Sequence, residues 1–305
     1  MNAAIRAVVR LAASQGAEVY GVRRGYLGLM RSEFVPMDST SVGGIIEEGG
    51  TILRTARCLE FKTPEGLATA VGNLQRAGID QLVVIGGDGS MRGALELFRS
   101  GIATVGVPAT IDNDVPMTDM CIGADTALNT VVEAIDRIRD TASAHERVFI
   151  VQTMGRACGW LALEAALATG ADIVLIPEVP WTYEEVCATI QKRARDRKGH
   201  TIVVIAEGCG ADAVEVAQTL KDRIGIETRV TVLGHLQRGG APTGFDRILA
   251  SRFGAAAADV LRAGKGGVMV GLHGREVGPT SLEEVVTARH QIDLALYQLE
   301  GVFAV

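Results

Sequence analysis

One stretch constrains the chain more than any other: residues 81–114, QLVVIGGDGSMRGALELFRSGIATVGVPATIDND. Leu82 to Ile85 is a short β-branched run that stops at Gly86, Gly87, Asp88, Gly89 and Ser90, after which apolar residues recur at helical spacing. That order predicts a strand, a glycine turn and a helix N-terminus. Glycines let the backbone come close to a bulky anion, and the free amides at the head of the helix favour negative charge there. Ala103 to Val107 predicts a second buried strand, whose carboxyl end delivers Pro108, Ala109, Thr110, Ile111, Asp112, Asn113 and Asp114. In an open parallel sheet the crevice beyond the strand ends is where ligands bind.

A phosphate suits such a turn. Asp88 would repel it directly, so a carboxylate among these glycines is most simply explained by Mg2+. Three aspartates at two neighbouring strand ends predict metal-assisted phosphoryl transfer, with one of them free to act as a base. Either Asp88 or Asp112 alone could equally cap a turn; the pairing at adjacent strand ends is what makes capping the poorer account.

With 305 residues, 48% of them hydrophobic, the chain can bury a large core and is expected to divide into two lobes. The net charge of -6 argues against nucleic acid or an anionic membrane as a partner, although local arginine clusters can still hold phosphates. No apolar run reaches the roughly 18 residues that span a bilayer. Cys58, Cys121, Cys158, Cys187 and Cys209 show no metal-ligand spacing and follow no secretory leader, so a reducing, cytoplasmic setting is expected.

Along the rest of the chain, helices are expected over 1–14, over 43–49 and from Gly123 onward, the last with Leu128, Val131, Val132, Ile135 and Ile138 at spacings of three and four. Strands are expected over 18–22, 147–152, 172–176, 201–206, 230–233 and 267–271, with 281–300 as a final helical region. Gly25 and Tyr26 read as a loop, and 51–61 carries Arg54 and Arg57 toward the Gly86 turn. Met154, Gly155 and Arg156 open a second glycine-bearing turn, Glu207 ends a strand, and His235 and Arg238 leave a third turn as candidate anion ligands. A basic helix with Lys192, Arg193, Arg195, Arg197 and Lys198 reads as a solvated face or an anionic effector site. The lobes are expected at 1–123 plus 236–286, for nucleotide, and 124–235 plus 287–305, for the acceptor.

Four ordered motifs, GGDGS at 86–90, PATIDND at 108–114, MGRACG at 154–159 and GHLQRGGAPTGFDR at 234–247, resemble those of the bacterial ATP-dependent 6-phosphofructokinases over nearly the whole chain. The resemblance implies an α/β fold of two three-layer α/β/α lobes with mostly parallel sheets, and transfer of the γ-phosphate of MgATP to the 1-hydroxyl of fructose 6-phosphate. Asp112 matches the general base. Asp88 and Asp114 match residues that manage Mg2+ and the moving phosphoryl group, and Arg156 one that stabilises transition-state charge. For the sugar phosphate, Thr110, Met154, Gly155, Glu207, His235 and Arg238 match contacts from the same subunit. Arg147 and Arg229 match arginines from a neighbour, normally in a homotetramer. Tyr26, Arg57, Cys58, Gly87, Gly89, Ser90 and Gly93 fall at ATP-site positions. Arg6, Arg10, Arg139, Asp172 and Lys198 match an effector pocket for ADP or phosphoenolpyruvate, or else a salt-bridged subunit face.

Two departures from the family pattern bear on this. The pyrophosphate-using branch carries Asp and Lys where this chain has Gly89 and Ala109, so ATP is the expected donor, with pyrophosphate as the alternative. Family members also begin with a strand and a GGD-type loop before MNAAIR. Without them the expectation is a sheet with an unfilled slot and an impaired or regulatory chain. GGDGS alone also resembles NAD kinases and diacylglycerol kinases, but PATIDND and GHLQRGG count against both.

Overall fold

Apolar runs alternating with amphipathic segments become alternating strands and helices, and the computed structural model describes residues 1–142, 147–196 and 199–303. The chain opens with α1 (Asn2–Ser14), β1 (Val19–Val22), α2 (Tyr26–Arg31), β2 (Phe34–Met37), α3 (Pro64–Arg76), β3 (Gln81–Gly86), α4 (Asp88–Arg99) and β4 (Ala103–Pro108). It continues through α5 (Ala124–Ala142), β5 (Val148–Thr153), α6 (Trp160–Thr169), β6 (Ile173–Leu175), α7 (Tyr183–Arg195), β7 (Thr201–Ala206), α8 (Ala213–Ile224) and β8 (Thr228–Val232). It closes with α9 (Gly244–Arg262), β9 (Val268–His273), β10 (Glu276–Ser281), α10 (Leu282–Thr287) and α11 (Leu294–Phe303). None of the described helices is long and apolar enough to cross a membrane.

Two compact units result. The first comprises Met1–Thr110, Val115–Gly123 and Gly240–His290, and the second Ile111–Asp114, Ala124–Gly239 and Gln291–Val305. In the first, the sheet order is β10-β9-β4-β3. β3, β4 and β9 are parallel, and β10 returns antiparallel to β9. Val105 and Val107 of β4 bury against Leu249, Phe253 and Ala257 of α9. On the other side Met91 and Leu95 of α4 pack with Met269 and Leu282.

Several features of this unit differ from the sequence expectation. Asn2, in the first turn of α1, reaches out of the helix: its side-chain amide donates to the Glu48 and Gly49 carbonyls, and its Oδ1 accepts from the Ile52 amide, pinning the 48–52 loop to α1. Residues 45–47 form only a 3-10 turn where a longer helix was expected. Tyr26 heads a helix rather than a loop, and β2 closes antiparallel on β1 despite Pro36, which an edge strand tolerates. Helix α3 is capped by Thr63, whose hydroxyl accepts from the Gly66 amide, with Pro64 in the first turn where its missing N–H costs nothing. The expected helical region over 281–300 forms as two helices, α10 and α11, and is preceded by β10, a strand not expected from the sequence. Among the described residues β3 pairs only with β4, and beside its other edge lies a largely apolar cavity of about 180 Å³ lined by Met1, Ile5, Val22, Leu53 and 82–85.

The second unit holds the all-parallel sheet β6-β7-β5-β8. Every residue of β7 is buried, which is why TIVVIA runs apolar without alternation. Ile202, Val204 and Ala206 face α5 and α6 through Val131, Ile135 and Leu161. Val203 and Ile205 face α7 and α8 through Ile190 and Leu220.

Candidate active site

In the second unit, three loops leave the carboxyl ends of β5, β7 and β8, and the 111–114 segment joins them. Asp112 is 3% exposed, and its Oδ2 lies 3.4 Å from Nε of Arg156. Burial raises its carboxyl above the ordinary range, and neighbouring Asp114 and Glu207 push the same way. Arg156 and Arg238 oppose that shift. A carboxylate so placed keeps its charge through arginines rather than water and holds a proton more readily than a solvated aspartate, as a base for a hydroxyl should. Asn113 beside it is buried with φ 49°, a left-handed conformation that Asn tolerates.

Arg156 is held by its backbone. Its φ is 54°, and its amide donates to Glu207 Oε1 at 2.7 Å, as does that of Gly155 at 3.3 Å. Opposite, Gly208 approaches so closely that a Cβ there would lie 1.9 Å from the Arg156 carbonyl oxygen. The exposed arginine side chain therefore leaves a rigid turn. Gln237, only 1% exposed and not singled out from the sequence, accepts from the Met154 amide and so links this turn to the one carrying exposed His235 and Arg238. Cys158, in the Arg156 turn, is a buried thiol pushed up to about 12 by burial and the surrounding carboxylates, hence inert.

In the first unit, Gly87 caps α4, and Asp88 stands in its first turn, 39% exposed, with an exposed ion pair of 3.0 Å to Arg92. Such pairs are weak and leave the carboxylate available. Thr110 faces Gly87. Tyr26 and Ser90 line the cavity beside β3, as does Arg54. The Tyr26 hydroxyl donates to the Ser90 carbonyl at 2.5 Å, and its ring stacks on Phe61 with centroids 4.1 Å apart. Gly93 serves that ring: a Cβ there would lie 2.6 Å from it. The Cys58 thiol points at Met30 Sδ, and Arg57 is exposed. A Cβ on Gly89 would meet nothing within 4 Å, so the turn is open at that point. Among the described residues no group of three His, Cys, Asp or Glu is arranged to hold a metal ion.

Arg147 and Arg229 share one carboxylate, Glu227, at 2.7 and 2.5 Å. Both lie at the amino ends of β5 and β8, opposite the Arg156, Glu207 and His235 loops. Strands of this length span roughly 17–20 Å, so these two arginines do not join the other loops of their own chain. Of the effector candidates, Arg6 and Arg10 lie on α1 in the first unit. In the second, Arg139 donates to the Thr169 and Gly170 carbonyls and stands beside Asp172. Asp172 is buried, ion-paired with Arg193 and accepting from the Ile202 amide at 2.7 Å. Arg193 is thus turned inward from an otherwise solvated basic face; Arg197 and Lys198 lie outside the described residues.

A family model described as phosphofructokinase matches residues 1–261. An ATP-dependent 6-phosphofructokinase of Halalkalibacterium halodurans is 52% identical over 299 residues, covering 98% of this chain and 93% of that one. Among solved structures, a Saccharomyces cerevisiae phosphofructokinase superposes with a TM-score of 0.86 at 36% identity over 94% of this chain, which spans only 43% of that longer chain. A pyrophosphate-dependent phosphofructokinase of Marinobacter aquaeolei superposes with a TM-score of 0.85 at 25% identity, covering 96% of this chain and 82% of that one.

Proposed function

We propose, from the premise that this chain belongs to the phosphofructokinase family, that it transfers the γ-phosphate of ATP to the 1-hydroxyl of fructose 6-phosphate, giving fructose 1,6-bisphosphate and ADP. The observation that carries the mechanism is Asp112: a buried carboxylate with a raised pKa beside Arg156. Asp112 takes the hydroxyl proton, and Asp114 and Thr110 guide the reacting groups. Arg156, on its clamped turn, meets the negative charge that grows on the phosphoryl oxygens. Met154, Gly155, Glu207, His235 and Arg238 hold the sugar phosphate. Arg147 and Arg229 act on a neighbouring subunit's site in a homotetramer, a reading supported by their position at the far end of the strands.

On the donor side the proposed contacts are Tyr26, Arg57, Cys58, Gly87, Asp88, Gly89, Ser90 and Gly93. A magnesium ion bound with a nucleotide takes one or two carboxylates and completes its shell with phosphates and water. A lone, partly exposed Asp88 at the head of a helix fits that donor set, and it is the residue that would hold Mg2+, which when bound neutralises phosphate charge. Arg6, Arg10, Arg139, Asp172 and Lys198 form the effector group, and the enzyme works in the cytoplasm.

The test is a pair of assays with fructose 6-phosphate, one with MgATP and one with pyrophosphate. Product from MgATP alone is expected, because the open turn at Gly89 and the small Ala109 carry neither the Asp nor the Lys of the pyrophosphate branch. Product from pyrophosphate and none from ATP would reverse the donor assignment.

A further inference from the structure

We infer that Gln237 is a positioning residue for acceptor binding, its side-chain amide standing in for a peptide group that β8 no longer supplies; the inference rests on the sugar-phosphate reading above. The parallel ladder of β5 and β8 ends where the Leu233 amide donates to the Gln152 carbonyl at 3.1 Å. The next donor along β5 on that side is the Met154 amide, but the chain after β8 has turned into the 3-10 segment Gly234–Arg238, where the Leu233 carbonyl accepts from the Leu236 amide instead. Gln237 reaches back instead. Its Oε1 accepts from Met154 N at 3.2 Å, and its Nε2 donates to the Gly234 carbonyl at 3.0 Å. The amide cannot be reversed, since a main-chain N–H only donates and a carbonyl only accepts. With 1% exposure, the side chain has no water to replace either bond.

One amide therefore sets the spacing between two groups of proposed acceptor contacts: Met154, Gly155 and Arg156 on one turn, His235 and Arg238 on the other. Glu207 and Gly208 fix the first turn from the β7 side, and Gln237 fixes it from the β8 side. Slippage between the turns moves the phosphate ligands relative to Arg156, whereas the donor-side groups of the first unit are untouched. Small misplacements of positioned groups are costly in rate and affinity.

The experiment compares wild type with Gln237→Leu and Gln237→Glu by initial rates, varying fructose 6-phosphate and MgATP separately between about pH 6 and 8.5, alongside calorimetric titration with fructose 6-phosphate and melting curves. Gln237→Leu is expected to raise the sugar KM about tenfold while the ATP KM stays within about twofold. Gln237→Glu keeps the acceptor for Met154 but donates to Gly234 only when protonated. Its sugar affinity, taken as a ratio to wild type, should therefore be near normal at low pH and fall as pH rises. A purely structural role would lower the folded fraction, and kcat with it, while the sugar affinity of the folded fraction, read by calorimetric titration, keeps a pH-independent ratio to wild type. A pH-independent ratio for Gln237→Glu, or an unchanged sugar KM in a folded Gln237→Leu, overturns the inference. Should Gln237→Leu fail to fold, the Gln237→Glu ratio decides alone. A wild type that neither binds nor phosphorylates fructose 6-phosphate sinks the underlying reading instead.

Discussion

Replacing Asp112 by Ser separates the chemistry of this site from its architecture. A positioned general base contributes roughly 10²–10⁴ in rate, so a fall in kcat of about 10³ is expected, equivalent to about 4 kcal/mol of barrier. Binding of fructose 6-phosphate, held by other side chains, should change little in a calorimetric titration. Stability moves the other way. Burial raises the Asp112 carboxyl, so the folded protein resists its ionisation; the cost is absent below the ordinary value of about 3.9 and grows as pH rises through the raised one. Ser carries no such cost, although it gives up the attraction of Arg156 and Arg238. Melting curves should therefore place the variant level with or above wild type at about pH 8, with any gain gone below about pH 4. The same raised pKa predicts that wild-type kcat/KM falls on the acid side at a pH higher than a solvated aspartate would give. Turnover within about tenfold of wild type would remove Asp112 from the base role, and a variant melting several degrees lower at about pH 8 would refute the desolvation argument.

Three further outcomes follow from other parts of the fold. Glu300, 6% exposed, has a carboxyl pushed up to about 7 mainly by burial, with Asp172 adding to it. Wild-type stability should thus decline between about pH 4.3 and 7, and Glu300→Gln should recover on the order of 3–4 kcal/mol above that window and nothing below it, read from melting temperature against pH. Arg193→Ala removes the ion-pair partner of the buried Asp172 carboxylate and leaves it the Ile202 amide and nearby Arg139; a loss of about 3 kcal/mol is expected in denaturant titration, and an exposed-pair loss under about 1 kcal/mol would mean the pair is solvated. Gly208→Ala forces a Cβ within 1.9 Å of the Arg156 carbonyl oxygen, so the turn must shift. kcat should drop about tenfold or more with sugar affinity, and unchanged kinetics would show that the turn tolerates displacement.

What could be read beforehand was governed by local physics. β4 and β7 announce themselves because a buried parallel strand is nearly continuous in apolar residues, and β3 and α4 because an apolar run breaks into a glycine turn where the helix packs back. α2 and β2 are six and four residues long and owe their form to partners elsewhere in the unit. The Gly278 and Pro279 of β10 look like a loop until β9 is placed beside them. The helix α3, capped by Thr63 with Pro64 in its first turn, lies in a stretch for which no element is expected from the sequence.

The site divides along the same line. Asp88 and Asp112 stand out as candidates because turn capping poorly explains two carboxylates at neighbouring strand ends, Glu207, His235 and Arg238 because charged groups leave strand ends there, and Arg156 through the motif it shares with the family. Asn2, Gln237 and Gly208 do not, since each acts through main-chain groups at other points of its unit: the 48–52 loop, Met154 and Gly234, and the Arg156 carbonyl. An uncharged amide or a missing side chain leaves no periodicity to detect. Yet Gly208 and Gln237 hold the turn that carries Arg156, and a left-handed Arg156 persists only if its surroundings over-determine it. The charged residues name the reaction class, and the neutral ones, invisible until the strands are laid side by side, set how well that reaction can run.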